Sequence, residues 1–201
     1  MKKALLLLVL LLVIFISLKS FVKTNPQPTM ESSQASKQTA EGTQIECSGI
    51  PTPSQTEGPY YKTVSPKRNN IAENTPGVKL IVTGYVFNKD CIAIANAWLD
   101  FWQADSSGAY DNNGYALRGH QFTDENGMYR LETIVPAEYG SRPPHIHVKV
   151  KSSNGPILTS QLYFPNASQN KTDPIFNQAL IINIAERENI KIGTFNFVLN
   201  E

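Results

Sequence analysis

Two of the three histidines stand two residues apart, in His145-Ile146-His147. In an extended strand, residues i and i+2 project to the same face. The segment 145–151 (HIHVKVK) alternates as a strand does, so both imidazoles point one way, with Ile146, Val148 and Val150 alternating around them. Backbones roughly 7 Å apart allow the two rings to turn onto one metal ion. Such a pair also arises on solvated strand faces, so a metal site needs further donors. Glu138 is the only carboxylate close to the triplet in sequence. The distinctive neighbours are phenols: Tyr139, in Pro136-Ala137-Glu138-Tyr139-Gly140, and Tyr110, in Gly108-Ala109-Tyr110. A tyrosinate is a hard, strongly donating oxygen ligand that suits a ferric ion. Taken singly, each tyrosine is more often a packed aromatic with a hydrogen-bonded hydroxyl. Arg142-Pro143-Pro144 leads into the triplet, and each proline pins φ near about −65°, fixing the strand's entry.

The elements that must hold these groups read as strands. Residues 78–87 (VKLIVTGYVF) alternate and are β-branched, and 95–104 (ANAWLDFWQA) alternate again. Trp98 and Trp102 share one face of that second strand and are expected to pack in the core. Asn126-Gly127 lies between HQFTDE and MYRLETI, which predicts a hairpin, with Asp124 and Gly127 as turn residues. Residues 157–164 and 194–199 add two strands, and only 174–188 has the pattern of a short helix. His120 reads as a partly exposed strand histidine. Many short strands separated by Gly, Pro and Asn predict an all-β fold, a β-sandwich core with long loops and at most a short helix.

That core occupies only part of the 201 residues. Lys2 and Lys3 precede an apolar run from Ala4 to Leu18, broken only by Ser17. This is the pattern of a secretory signal and is short for a membrane span. Residues 1–23 are therefore read as a signal peptide or N-terminal membrane anchor. Residues 24–46 are rich in Thr, Ser, Gln and Pro and read as a flexible tether, leaving 47–201 as the folded domain. The protein is thus expected to be exported, whether periplasmic, extracellular or membrane-anchored, touching a membrane only through an uncleaved N-terminal segment. Net charge is +1, but four lysines fall in 1–23, so the remainder is mildly acidic and carries no nucleic-acid footprint. Cys47 and Cys91 are the only cysteines, too few for an all-cysteine zinc site. In an oxidising compartment they could pair and tie the start of the domain to the sheet; two buried thiols are the alternative.

Five segments together resemble the intradiol ring-cleavage dioxygenases, the family of catechol 1,2-dioxygenase and protocatechuate 3,4-dioxygenase. They are TEGPYY (56–61), LIVTGYVFNKDCIAIANAWLDFWQADSSGAYDN (80–112), LRGHQFTDENGMYRLETIVPAEYG (117–140), RPPHIHVKV (142–150) and TSQLYF (159–164). The resemblance implies one non-haem Fe(III) per chain, held by Tyr110, Tyr139, His145 and His147. It assigns Tyr110 and His145 to equatorial positions and Tyr139 and His147 to axial ones, with Tyr139 leaving when substrate binds. It makes Arg142 the active-site arginine and Gln161 its polar partner, and it puts Gly58, Pro59 and Tyr60 in the substrate pocket. The implied reaction is cleavage of a catechol between its hydroxylated carbons by O2, giving a cis,cis-muconate-type diacid. Which catechol is used, and whether the chain forms a homo-oligomer, stay open. No long helical region is expected before the core, unlike in many catechol 1,2-dioxygenases, and export is unusual for catabolic members. Two other classes are an exported binding module without enzymatic activity and a His-based zinc or copper enzyme. Colour separates them, because a ferric tyrosinate protein is red-brown.

Overall fold

The computed structural model describes residues 46–201. The export segment expected at 1–23, and all but the last residue of the tether expected at 24–46, lie outside the described residues. The described chain forms nine strands: β1 (Lys79–Phe87), β2 (Trp98–Gln103), β3 (Arg118–Phe122), β4 (Met128–Ile134), β5 (His145–Lys151), β6 (Leu158–Tyr163), β7 (Asn183–Arg187), β8 (Ile190–Thr194) and β9 (Phe197–Val198). They build two sheets, ordered β4-β1-β8-β7 and β3-β2-β5-β6, with β9 pairing the end of β1. Every pairing is antiparallel except those of β1 with β8 and β9.

The two sheets face each other across one apolar cluster. Leu80, Val82 and Val86 of β1 and Leu131 of β4 join Leu99 and Phe101 of β2, Ile146, Val148 and Val150 of β5, and Leu162 of β6. Period-2 alternation delivers these side chains: β1 alternates buried and half-buried positions along most of its length. The architecture is the β-sandwich that the strand pattern predicts.

Three local expectations need correction. Asn126-Gly127 does turn the chain, with Gly127 at φ 78° and the Asp124 carboxylate accepting from the backbone N–H groups of Asn126 (2.9 Å) and Met128 (2.8 Å). Yet β3 pairs with β2, and β4 pairs with β1, so the turn is a corner between the sheets and not a hairpin. The region 174–188 holds only a single 3-10 turn, Gln178–Leu180. Residues 183–187 form β7, which turns at Glu188 (φ 54°) into β8, and the pairing of β7 with β8, itself placed by β1, overrides the helical pattern. Trp98 and Trp102 share a face of β2 turned away from the sandwich core, where Trp102 is buried and Trp98 half-buried; only Leu99 and Phe101 of that strand join the core.

Cys47 and Cys91 are joined by a disulfide, with Cα atoms 5.7 Å apart. It links the first described residues to the turn after β1. From there the chain runs as a strap over the outer face of the β3-β2-β5-β6 sheet. Thr52 N–H bonds Val198, Gln55 N–H bonds Thr159, and Arg68 N–H bonds His120.

Candidate metal centre

The strap covers a row of polar side chains on the outer face of β2, β3, β5 and β6. Register sets their order. Trp102 lies opposite both Arg118 and His147, and His147 lies opposite Gln161. Two residues back along β5, at the start of the strand, His145 lies opposite Tyr163. Both histidines are buried, at 3% and 4% exposure. His145 Nδ1–H donates to the Pro143 carbonyl at 2.6 Å, which leaves Nε2 with a free lone pair. That Nε2 lies 3.1 Å from Nε2 of His147. The His147 ring is fixed from the other side by Trp102, stacked at 4.8 Å with 9° between planes. Burial lowers His145 to about 4, and burial, then His145, hold His147 well below its ordinary value. Burial thus favours at both the neutral imidazole, the form that ligates metals.

The two tyrosines come from loops that Asp105 ties together. Its carboxylate accepts from the backbone N–H groups of Ser107 (2.8 Å) and Ala109 (3.0 Å), shaping the turn that ends at Tyr110. Its carbonyl accepts from Ala137 N–H, two residues before Tyr139. Gly108 makes the approach feasible: at φ 84°, a Cβ there would sit 2.2 Å from the Glu138 carbonyl oxygen. The rings of Tyr110 and Tyr139 meet edge to face at 5.6 Å, and Tyr110 lies 6.3 Å from the His147 ring. Burial raises the Tyr110 phenol, with Arg142 and Arg118 opposing it.

Tyr139 and Arg142 face each other across a tight turn, paired by backbone hydrogen bonds in both directions. The Arg142 guanidinium is held at three points. Nε donates to Asp173 (3.0 Å), and Nη2 donates to Gln161 Oε1 (2.6 Å) and to the Tyr163 hydroxyl (3.1 Å). Gln161 is oriented in turn by donating Nε2–H to the Thr56 carbonyl (2.9 Å). Among the described residues Nη1 of Arg142 has no protein acceptor, so one edge of the cation stays available.

The strap forms the roof. Tyr60 stacks on Tyr110 at 4.3 Å and 11°, and its hydroxyl is hydrogen-bonded to that of Tyr139. Gly58 passes close to His147: at φ 73°, a Cβ would lie 3.3 Å from the imidazole Cε1. Pro59, between them, is exposed. The strap is pinned beside the site by Asp100, whose carboxylate accepts from Ser65 (2.7 Å) and Tyr61 (3.1 Å), and by Lys149, which pairs with Glu57 and lies 3.8 Å over the Tyr61 ring. His120 is half-buried and joins this network through Ser65, apart from the histidine pair.

The donor set fits a ferric ion. Two nitrogens each about 2.1 Å from one ion and at a right angle would stand about 3.0 Å apart, which matches the observed separation of the imidazoles. Among the described residues no three His, Cys, Asp or Glu side chains converge. The donors grouped here are two imidazoles and two phenols, and hard anionic oxygen suits Fe(III) better than Zn(II). Three participants escaped the sequence reading. Asp173 and Tyr163 grip Arg142, and Trp102 stacks on His147. The alternation of β2 and β6 could have assigned Trp102 and Tyr163 to the histidine-bearing face; nothing in the sequence points to Asp173.

Comparison with known proteins follows the same segments. The family model described as Dioxygenase matches residues 56–201. The chain is 30% identical over 141 residues to the catechol 1,2-dioxygenase of Acinetobacter baylyi, covering 55% of this chain and 45% of that protein. It is 31% identical over 128 residues to the protocatechuate 3,4-dioxygenase beta chain of Burkholderia cepacia, covering 54% of each. The chain thus spans about half the length of the curated relatives it matches. Among solved structures, it is 50% identical to the dioxygenase domain of a dioxygenase carbohydrate-binding protein fusion from Streptomyces sp. SirexAA-E, with a TM-score of 0.73 over 75% of this chain and 99% of that one. It is 27% identical to an intradiol ring-cleavage dioxygenase from Tetranychus urticae, with a TM-score of 0.68 over 75% and 94%.

Proposed function

This chain belongs to the intradiol ring-cleavage dioxygenases, and from that premise we propose that it cleaves a catechol between its two hydroxylated carbons with O2, giving a cis,cis-muconate-type diacid. The observation that carries the reading is the 3.1 Å approach of two imidazole nitrogens beside two phenols and a triply held arginine. In this reading Tyr110, Tyr139, His145 and His147 hold one Fe(III). When bound, the ion would let the ring of a deprotonated catechol react with O2.

The protein's own groups supply the rest. Tyr139, at the mouth of the group beneath Tyr60, would be a phenolate when it holds the ion, and its phenolate oxygen would take a phenolic proton from the incoming catechol and become a neutral hydroxyl. Tyr60 lines the approach with a flat aromatic face. Arg142 stabilises negative charge that develops on the substrate. Asp173, Gln161 and Tyr163 hold its guanidinium in place beforehand, so little reorganisation is needed during the reaction. Trp102 keeps His147 in one orientation. Both atoms of O2 enter the product, so no external reductant is required, and the reaction is compatible with an exported enzyme. The Cys47–Cys91 bond suits an oxidising compartment, and export by residues 1–23 is part of the proposal.

The test is O2 uptake by the purified iron-loaded protein with catechol, protocatechuate, hydroxyquinol and a chlorocatechol, with the product followed by absorbance and mass. A mass gain of two oxygen atoms in at least one product supports the proposal. Iron-loaded, folded protein that consumes no O2 with any of the four refutes it.

A further inference from the structure

Arg118, on β3, is 1% exposed. Its hydrogen bonds all go to neutral acceptors: Nε and Nη2 donate to the Asp111 carbonyl (3.2 and 3.1 Å), and Nη1 donates to the Tyr60 carbonyl (2.6 Å). Among the described residues no carboxylate pairs with it. The nearby acids are committed elsewhere. The Asp111 carboxylate accepts from the backbone N–H groups of Asn113, Gly114 and Ala116, and Asp100 accepts from Ser65 and Tyr61. A buried cation without a counter-charge is strongly unfavourable. Carbonyl oxygens satisfy its protons, while the Asp111 and Asp100 carboxylates act on its charge only at a distance, with no direct ion pair among the described residues.

The group that the cation faces is Tyr110, with the guanidinium carbon 6.0 Å from the ring centroid. A neutral phenol offers only its ring face to a cation; a phenolate offers a full negative charge. Resting on the proposed function, we infer that Arg118 is the counter-charge of Tyr110 phenolate, a positioning residue that acts on the metal centre through this one ligand. Its hydrogen bonds serve the same end. They hold the backbone at Asp111, next to Tyr110, and at Tyr60, so one cation fixes both rings of the stacked pair. The charge accounts for burying an arginine here, where a neutral donor could hold two carbonyls at lower desolvation cost.

The readout is the tyrosinate-to-iron charge-transfer band of the purified iron-loaded protein, with iron content measured in parallel. Arg118→Gln keeps an amide donor and removes the charge; Arg118→Lys keeps the charge and loses the planar fork. A positive charge beside the donor ring opposes movement of electron density toward the metal. Arg118→Gln should therefore shift the band to longer wavelength by roughly 10–20 nm, the scale of a unit charge about 6 Å away at an effective dielectric constant near 20. Arg118→Lys should stay within about a quarter of that shift. The displacement should persist in a Tyr139→Phe background, where Tyr110 is the remaining tyrosinate. If Arg118→Gln does not fold, Arg118→citrulline, which keeps the shape without the charge, should give the same displacement. A parent-like band in the neutral variant, or equal shifts in the glutamine and lysine variants, would overturn the inference and leave a simple backbone clamp. Absence of any tyrosinate band in fully iron-loaded parent protein would instead overturn the proposed function itself.

Discussion

The β3-β2-β5-β6 sheet is buried on its inner face and over the central part of its outer face, against different surroundings. Its inner face presents Leu99, Phe101, Ile146, Val148, Val150 and Leu162, all fully buried against the opposing sheet. Its outer face presents Asp100, Arg118, His145, His147 and Gln161, none more than 4% exposed, beneath a strap and three loops. The inner face gains stability from apolar area, roughly 25 cal/mol per Å² removed from water. On the outer face Trp102 and Tyr163 also bury apolar area, but the polar groups around them gain nothing that way. Most of these polar groups are matched by a hydrogen bond, a charge or, in the proposed function, a metal ion, while among the described residues Trp102 Nε1 and His147 Nδ1 have no partner. The contrast shows that alternation along a strand separates two faces without saying which of them water reaches.

Substitutions on each face should separate those two kinds of burial. The largest effect is expected from His147→Ala on the outer face, which should reduce ring cleavage to background and retained iron to none in a chain that still folds. Metal analysis and O2 uptake measure this, and undiminished iron binding would break the contrast. Tyr139→Phe should follow, slowing formation of the catechol complex about 10²–10⁴-fold, the usual worth of a positioned base. Anaerobic stopped-flow absorbance measures it; a parent-like rate with an unchanged resting spectrum would make Tyr139 a packed aromatic. On the inner face, Leu99→Ala should cost about 2–5 kcal/mol of stability, read by urea denaturation, while each folded chain still binds one iron. Gln161→Ala, which frees one edge of Arg142 and leaves the Thr56 carbonyl without its donor, should lower turnover by about 10–100-fold and cost about 1–3 kcal/mol of stability. The smallest effect belongs to Tyr61→Phe, which removes one of the two hydroxyl groups bound to Asp100 and should cost about 0.5–1.5 kcal/mol.

The same contrast explains what could be read from the sequence. The sandwich and the shared face of His145 and His147 follow from period 2 alone, because both depend on neighbours within one strand. The phenols do not: Tyr110 and Tyr139 resemble packed aromatics until the whole set of segments is seen to resemble one family. Asp173 lies on a loop beyond β6 and reaches Arg142 across 31 positions of sequence, so no local pattern marks it. Trp102 was misassigned because a large aromatic on a strand is expected to face an apolar core, and here the second face is closed as well. The corner at Asn126-Gly127 shows a further limit. A turn is chosen locally, whereas the strand that each flank pairs with is chosen by the rest of the fold. The helical pattern of 174–188 likewise lost to sheet pairing: residues 183–187 bond to β8, which is itself placed by β1, about a hundred residues earlier.

The disulfide has a mechanical consequence. Cys47 lies one residue inside the described fold, and its sulfur is joined to Cys91 in the turn between β1 and β2. A pull applied at Glu46 therefore enters the sandwich through a covalent bond and is borne by β1, hydrogen-bonded along its length to β4 on one side and β8 on the other. The strap that roofs the tyrosines and histidines begins after that junction and lies outside the load path. Reducing the bond would reroute the same force along the strap, peeling the Thr52 and Gln55 hydrogen bonds first and reaching Gly58 and Tyr60 next. A single sulfur bridge thus isolates the reactive end of the molecule from whatever drags on its N-terminus.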